Sequence, residues 1–254
     1  RQTVGSIALL TLDSPSTRNA LSEAMIMALQ SALDSIRDDK NVRAVVIAAN
    51  GPAYSSGHNL KELTARRSDA DKGRAYFAHM MKSCSDMMQT IVRLPKPVVA
   101  AVQGVATAAG CQMVATCDLA VASDQATFGT PGIDIGLFCS TPMVALTRNV
   151  PRKHAMHMLL TGDHIPAQRA LELGLVNSVV PAGSEREAAI ALADRIAVKS
   201  AYTLKVGKEA FYRQAEMSLA DAYTYAAQVM TENMMARDAQ EGIGAFIEKR
   251  DPKW

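Results

Sequence analysis

Two short runs of apolar, largely β-branched residues constrain the fold of this chain more than any other feature. Val42–Ala48 and Val98–Val102 lack the polar alternation of a strand with one solvated face. We therefore expect strands that are covered on both faces, as in parallel sheets. Ile7–Leu12 and Leu119–Ala122 are further short apolar runs that predict strands. Helices must cover such a sheet, so the sequence predicts a mixed α/β fold.

Amphipathic segments lie between the apolar runs. Ser22 is a suitable N-cap, and apolar residues follow it at the three- and four-residue spacing of one helical face. A longer segment with the same spacing ends before Pro95 and Pro97. We predict helices after Ser22, over Asp71–Arg93, over Ala106–Thr116, from Thr141 towards Val150, over His154–Leu160 and over Ala167–Leu173, and a last strand over Leu175–Val180.

The C-terminal quarter of the chain shows no strand pattern after Ser184. Its apolar positions, among them Leu219, Tyr223, Met230 and Met234, are more numerous than a lone surface helix needs. We expect this segment either to pack back on the core or to form a contact between subunits. The predicted organisation is an α/β core over residues 1–183 and a helical region over residues 184–254.

Composition excludes several classes of partner. The 27 Lys and Arg nearly balance the 25 Asp and Glu, so no net field would hold nucleic acid or an anionic membrane. The apolar runs are far shorter than the roughly 20 residues that cross a bilayer. The four cysteines have no metal-binding spacing, and we expect them to be reduced and buried. The first residues given enter a strand-like pattern, so we expect no signal or transit peptide among them.

Two segments can place backbone N–H groups at one site. Ser55–Asn59 and Gly104–Gln112 each lead into a helix through Gly or Ala. A helix start leaves about four N–H groups without intrahelical partners, and small side chains let a ligand oxygen approach them. Two such segments facing each other would form an oxyanion hole. The alternative is that these small residues serve only turn geometry and close packing.

Longer motifs carry a family resemblance. KPVVAAVQGVATAAGCQMVATCDLAVASDQATFGTPGIDIG (Lys96–Gly136) resembles the signature of the crotonase, or enoyl-CoA hydratase/isomerase, superfamily, and AYSSGHNLKEL (Ala53–Leu63) resembles its first oxyanion loop. The likeness continues through Leu160–Pro181 and Glu241–Arg250, so it covers essentially the whole chain. Within the superfamily the chain looks most similar to the enoyl-CoA hydratase domain-containing proteins.

The resemblance implies a fold, an assembly and a ligand. The fold is a spiral of ββα units with a C-terminal helical trimerisation region, assembled as a homotrimer or a dimer of trimers. The ligand is an acyl-CoA, so coenzyme A enters as part of the thioester substrate, and no permanently bound cofactor or metal is expected. The expected compartment is the cytoplasm for a bacterial source and the mitochondrial matrix for a eukaryotic one.

The resemblance also assigns roles to residues. The backbone N–H groups of His58 and Ala109 would hold the thioester oxygen as it becomes an enolate oxygen. The path for adenine and pantetheine would be lined by Ser56, His58, Asn59, Leu60 and Lys61.

Two positions depart from the family pattern. Family hydratases use two glutamates to position a water molecule and to exchange protons with the substrate, and the matching residues here are Gln112 and Gly132. An amide cannot take up a proton near neutral pH, and glycine supplies no side chain. General acid–base catalysis contributes ~10²–10⁴ in rate, so we expect no efficient hydration.

Asp134 and the imidazole of His58 are the candidate replacements for the missing carboxylates. Asp134 follows Gly132 by two residues, and its alternative role is to cap a turn. The His58 imidazole can act as a base, and its alternative is a side chain that is turned to solvent or bonded to Asn59.

Other polar residues near the motifs have competing structural explanations. Cys139 and Ser140 lie where some relatives place an acid, but we expect Cys139 in the core, and serine lacks a usable pKa. Asp118 is expected to make a structural hydrogen bond. His154 and His157 are expected at surface or packing positions, and Lys61, Arg66 and Arg67 either meet the phosphates of coenzyme A or form a solvated charged face.

Two functions from different classes follow. The first is an enzyme of the enoyl-CoA hydratase/isomerase type that performs enolate chemistry other than efficient hydration. The second is a catalytically reduced protein that binds acyl-CoA or regulates a partner. Turnover of a panel of coenzyme A thioesters distinguishes the two.

Overall fold

Two sheets form the frame of the molecule, and the computed structural model describes all residues from Arg1 to Trp254. The larger sheet contains, in spatial order, β1 (Gln2–Val4), β2 (Ile7–Leu12), β3 (Ala44–Ala49), β5 (Val98–Val102), β7 (Leu119–Ser123) and β10 (Ser178–Val180). The smaller sheet contains β4 (Ala53–Ser55), β6 (Val105–Thr107), β8 (Thr127–Gly129) and β9 (Ile165–Pro166).

Strand pairing confirms the predicted parallel sheet. In the larger sheet only β1 and β2 are antiparallel, and in the smaller sheet only β8 and β9. Every residue of β3 and β5 is buried, as their continuous apolar sequence predicts. Successive pairs (β3 with β4, β5 with β6, β7 with β8) give one strand to each sheet before the chain turns into helix. This arrangement is the expected spiral of ββα units.

Eleven α-helices surround the sheets. Ser22 caps the first of them, because its Oγ accepts the Met25 N–H at 3.2 Å, and the predicted apolar face is buried at Leu29, Leu33 and Ile36. The helices are α1 (Glu23–Arg37), α2 (Leu60–Ala65), α3 (Arg74–Arg93), α4 (Ala109–Thr116), α5 (Pro142–Leu146), α6 (Arg152–Thr161), α7 (Ala167–Glu172), α8 (Glu185–Ala197), α9 (Ala201–Gln214), α10 (Leu219–Met235) and α11 (Arg237–Glu248). None of them combines the length and apolarity that crossing a bilayer requires.

The core has two parts, one on each face of the larger sheet. The larger part fills the space between this sheet, the smaller sheet and helices such as α1, α3 and α4. On the opposite face, Ala189, Ala193 and Ala197 of α8 pack against apolar residues of the central strands. Alanine allows the helix to lie close to the strands. The helix that follows Ser184 is therefore part of the cover of the sheet.

Four predicted boundaries are wrong by three residues or more. The helix predicted from Asp71 begins at Arg74, because the Asp71 carboxylate accepts the N–H groups of Gly73 and Ala75 in the preceding turn. The helix predicted over Ala106–Thr116 begins only at Ala109, because the preceding residues pair as β6. The strand predicted from Leu175 begins at Ser178, since the Leu175 N–H still donates to Ala170 O in the turn that closes α7. The helix predicted towards Val150 ends at Leu146, where the Asn149 side chain donates to Ala145 O at 2.9 Å.

A buried ion pair joins α9 to the core. Lys208 Nζ lies 2.7 Å from the Asp118 carboxylate and also donates to the carbonyls of Ile91 and Lys96. The Tyr212 hydroxyl and the Val98 N–H complete the bonds to Asp118. Asp118 therefore makes structural hydrogen bonds, as predicted.

Beyond this attachment the C-terminal helices expose large apolar side chains. Their exposed fractions lie between 71% and 84% at Leu219, Tyr223, Met235, Phe246 and Ile247. A single copy of the chain leaves this surface open to water.

Candidate functional site

The two glycine- and alanine-containing segments meet directly. A methyl group on Gly57 would lie 2.9 Å from Ala108 Cβ, closer than real side chains approach, and 3.2 Å from Ala109 N. A methyl group on Gly110 would collide with the carbonyl oxygen of Ser55. Close approach therefore requires glycine at both positions. The two segments therefore pack directly against each other.

The first segment is fixed by its backbone. The Leu21 N–H donates to Gly57 O at 2.7 Å, and the Asn59 N–H donates back to Leu21 O. The Ser55 hydroxyl donates to Asn19 O at 2.9 Å. Asn59 also caps α2, where its side chain accepts the Glu62 N–H. These bonds hold the segment as a defined loop at the start of a helix.

Two backbone donors are available where the segments meet. The His58 N–H, next in the chain after Gly57, and the Ala109 N–H donate to no turn, loop, cap or side-chain acceptor. Ala109 is the first residue of α4, a position whose N–H has no intrahelical partner. The positive end of the helix dipole also lies there. Unpaired N–H groups at this place can donate hydrogen bonds to an anionic or partly anionic oxygen.

Gln112 lies one turn into α4 and is only 5% exposed. Its Oε1 atom is buried and has no hydrogen-bond partner. A buried amide oxygen without a partner is uncommon and marks a place where a ligand or a water molecule can supply a donor. The side chain is neutral, so it can orient such a group but cannot remove a proton near neutral pH.

Gly132 is buried beside Cys139. A methyl group on Gly132 would lie 2.7 Å from Leu137 O and 2.8 Å from Cys139 Sγ, so no side chain fits without a shift of the loop. Burial raises the pKa of the Cys139 thiol, and a hydrogen bond from the Gly132 N–H lowers it by a smaller amount. Cys139 is buried as predicted, and the exposed Ser140 hydroxyl donates to Phe138 O.

His58 is half-buried. Its Nε2 atom is buried and has no hydrogen-bond partner. No hydrogen bond joins the ring to Asn59, and the proposed role of the ring as a base stays a prediction. Burial lowers the pKa of His58, and no neighbouring charge opposes this effect. The ring is neutral near pH 7 and keeps an unused nitrogen.

Asp134 is exposed in the 3₁₀ turn Pro131–Ile135 and lies against the turn that follows α6. A methyl group on Gly162 would lie 2.8 Å from Asp134 Oδ2. Sequence reasoning missed the neighbouring His164, whose Nε2 lies 3.2 Å from Thr107 Oγ1. Burial lowers the pKa of His164, and the negative charges of Asp134 and Asp163 raise it by a smaller amount. His164 lies alone in the segment between α6 and β9, and no sequence motif marked it as a candidate site residue.

The other candidate residues lie near the surface. Leu60 and Lys61 are exposed at the start of α2, and Ser56 is half-buried. The guanidinium groups of Arg66 and Arg67 lie over the rings of Tyr76 and Phe77. His154 and His157 are exposed on α6, as expected for surface positions. No group of three or more His, Cys, Asp or Glu is placed to hold a metal ion.

Comparison with known proteins gives a consistent result. The family model described as enoyl-CoA hydratase/isomerase matches residues 2–254. The chain is 48% identical over 245 residues to the rat protein named enoyl-CoA hydratase domain-containing protein 3, mitochondrial, covering 96% of this chain and 80% of the relative. It is 33% identical over 247 residues to 2,3-dehydroadipyl-CoA hydratase of Escherichia coli, covering 97% of this chain and 94% of that protein.

Solved structures agree with this result. The crystal structure of human enoyl-CoA hydratase domain-containing protein 3 superposes with a TM-score of 0.94 at 47% identity, covering 100% of this chain and 98% of that one. An enoyl-CoA hydratase of Mycobacterium smegmatis gives a TM-score of 0.93, also at 47% identity, covering 100% and 97%.

Proposed function

Because this chain belongs to the enoyl-CoA hydratase/isomerase family, we propose that it binds an acyl-CoA and holds the thioester carbonyl oxygen with the N–H groups of His58 and Ala109. The observation that carries the proposal is the contact of Gly57 with Ala108 and Ala109, which brings two unpaired backbone donors to the start of α4. Both donors are main-chain groups, so the substitutions at Gln112 and Gly132 leave them in place.

Two N–H groups that donate to the same carbonyl oxygen favour negative charge on it. A thioester enolate carries its negative charge on that oxygen, so the donors stabilise the enolate more strongly than the neutral thioester. The positive end of the α4 dipole acts in the same direction. The proposed chemistry is therefore the formation or use of a thioester enolate.

The site lacks the two carboxylates that would transfer protons in a family hydratase. Gln112 has no carboxylate, and the space beside Gly132 is filled by Leu137 O and Cys139 Sγ. The polarised thioester therefore lacks the two groups that would activate and position water. We propose that the protein is a poor hydratase for simple enoyl-CoA substrates.

His58 is the better supported replacement for the missing bases. Its Nε2 is buried and unpartnered, and its lowered pKa keeps it able to accept a proton at neutral pH. Asp134 is exposed and lies against Gly162. We propose His58 as the group that exchanges a proton with the ligand.

The start of α2 is the proposed path for the rest of the ligand. Ser56 and Asn59 flank the His58 donor, and Leu60 and Lys61 present an apolar and a cationic side chain beside it. An apolar wall suits pantetheine and a cation suits phosphate, so coenzyme A is the proposed cofactor portion of the substrate.

A second function, acyl-CoA binding without turnover, is favoured by the space beside Gly132, which Leu137 O and Cys139 Sγ fill. A protein that binds acyl-CoA without turning it over needs the two N–H donors but no acid or base. Its signature would be tight binding with no product from any thioester tested. Turnover of a thioester, lost on His58→Gln, would exclude it.

The donor role is tested with crotonyl-CoA and the matching thioether, which has no carbonyl oxygen. A hydrogen bond contributes about 1 kcal/mol, so two donors predict a preference of about 10-fold or more for the thioester by calorimetry. Ala109→Pro removes one N–H, and proline is tolerated at a first helical position. We expect the preference of this variant to be about 5-fold smaller than that of the wild type, the contribution of one hydrogen bond.

Ala201→Pro is the matched control, because Ala201 is the first residue of the distant helix α9. It should bind as the wild type does. Equal affinity of the wild type for the thioester and the thioether would contradict the proposed oxyanion hole.

A further inference from the structure

Ala108, the residue before the Ala109 donor, has an unusual backbone conformation. Its φ is +51° and its ψ is −118°. Arg18 and Lys249 also have positive φ, but their ψ values of 41° and 42° place them in the ordinary left-handed helical region. The combination at Ala108 is sparsely populated by any residue with a side chain. The chain therefore keeps alanine at a position that suits glycine.

Contacts on every side hold this conformation. The Ala108 N–H donates to Gly129 O at 2.9 Å, and Ala108 O accepts the Gln112 N–H at 3.0 Å in the first turn of α4. The Ala108 methyl group packs against Gly57. The neighbouring strand, the helix and the first oxyanion segment together fix both peptide groups that flank Ala108.

The ψ angle of Ala108 sets the direction of the Ala109 N–H, because both belong to the peptide plane that follows the Ala108 Cα. An ordinary extended residue has ψ of roughly +115° to +135°, which would rotate this plane by more than about 100°. The N–H would then point in a different direction. The Ala109 nitrogen lies 3.2 Å from the place of a methyl group on Gly57, so the peptide group that this angle orients borders the first segment.

We propose that Ala108 is a positioning residue, whose strained backbone directs the Ala109 N–H towards the thioester oxygen. This inference rests on the proposed function, and strain confined to a ligand-binding loop is its physical motivation. Glycine would adopt the same angles without strain but would also allow others. The methyl group, which lies between the two loops, restricts the peptide to one orientation.

Thermal unfolding of the ligand-free protein tests the strain. Ala106 lies in the ordinary strand β6, so Ala106→Gly should lower the unfolding midpoint through chain entropy and lost packing. Ala108→Gly relieves strain that offsets these losses, so its midpoint should equal or exceed that of the wild type. A decrease as large as that of Ala106→Gly would overturn the proposal.

Binding tests the consequence for the site. The preference for crotonyl-CoA over its thioether should fall by about 5-fold in Ala108→Val, the contribution of one hydrogen bond, because a β-branched residue resists positive φ, while affinity for the thioether is kept. Ala108→Gly should show a smaller loss, since glycine adopts the conformation without enforcing it.

The outcomes separate the two proposals. A wild-type protein without any preference for the thioester would overturn the proposed function itself. A wild-type preference that persists unchanged in Ala108→Val, or that Ala108→Gly loses as completely, would overturn only the positioning role. If Ala108→Val does not fold, the comparison of Ala108→Gly with Ala106→Gly decides the matter.

Discussion

Gln112 and Gly132 differ in how readily a carboxylate can be restored. Gln112→Glu changes one buried amide into a carboxyl group of the same shape, and the unpartnered Oε1 indicates room for a water molecule or a ligand donor. We expect the rate of crotonyl-CoA hydration to rise by about 10²-fold, the lower end of the range for general acid–base groups. A spectrophotometric assay of the enoyl thioester checks this, with Gln112→Met as the control of equal length.

Gly132→Glu should behave in the opposite way. The backbone of Gly132 does not have positive φ, so the obstacle is space and not conformation. The new Cβ meets Leu137 O at 2.7 Å and Cys139 Sγ at 2.8 Å, and overpacking of this kind costs about 1–3 kcal/mol. We expect a lower unfolding midpoint and no gain in rate when it is added to Gln112→Glu. A large additional gain would show that the loop opens.

His58 should make the stability of the protein depend on pH. Burial lowers its pKa below the ordinary value of 6.5, so the unfolded chain binds more protons than the folded protein between those two pKa values. The stability that depends on a neutral His58 is therefore fully present above pH 6.5. It is lost progressively as the pH drops below that value. Denaturant unfolding at about pH 7.5 and about pH 5.5 should show a smaller acid loss in His58→Gln than in the wild type.

His154→Gln is the control for this measurement, because His154 is exposed on α6. It should leave the acid loss unchanged. An acid loss that is the same in His58→Gln and in the wild type would contradict the buried, neutral imidazole.

At the scale of elements, Lys208 and Asp118 attach α9 to the sheet. Their side chains are only 8% and 16% exposed, and burial lowers the pKa of Lys208 against the neighbouring carboxylate. Lys208→Met leaves a buried charge and two carbonyls without their donor, which should cost about 3–5 kcal/mol of unfolding free energy. Chemical denaturation checks this value.

The double change Lys208→Met with Asp118→Asn is the companion to that measurement. It removes the isolated charge, so we expect it to cost less than the sum of the two single changes. Additive costs, or a cost below about 1 kcal/mol for Lys208→Met, would contradict the attachment role.

The sequence predicts long elements well and short ones poorly. The continuous apolar runs identify β3 and β5, and the apolar spacing identifies α1 and α3, because these signals extend over five residues or more. The strands β4 and β8 have three residues each and are too short to display a period. They take their conformation from neighbours in the smaller sheet.

The candidate site was predictable in its parts but not in its assembly. Glycine and alanine at two helix starts indicated backbone donors. The contact of Gly57 with Ala108 joins segments that are about fifty residues apart in the chain, and local pattern holds no information on it. The strained backbone of Ala108 and the closed space beside Gly132 likewise arise from tertiary packing.

At the scale of the whole molecule, the apolar surface of α10 and α11 predicts association. Phe246 and Ile247 are among the most exposed large side chains, and monomers rarely leave such a patch open. We predict a homotrimer or a dimer of trimers, consistent with the assembly that the family resemblance implies. Sedimentation equilibrium at micromolar concentration should give three or six times 27.2 kDa.

A charge in this surface should weaken the assembly. Phe246→Glu is expected to shift the mass towards the monomer, because a buried carboxylate without a partner is costly. Met27→Glu, at an exposed position of α1, is the control and should leave the mass unchanged. A wild-type protein that sediments as a monomer would contradict this prediction.

The central claim is that the His58 and Ala109 N–H groups hold the thioester oxygen, and the carbonyl stretching frequency of bound crotonyl-CoA tests it most directly. With a ¹³C label at the thioester carbonyl, difference infrared spectroscopy isolates that one bond. Hydrogen bonds to the oxygen weaken the C=O bond, so we predict a lower frequency for bound than for free ligand. The shift should shrink in Ala109→Pro and persist in Ala201→Pro. A bound thioester whose carbonyl vibrates at the frequency of the free ligand would contradict the account.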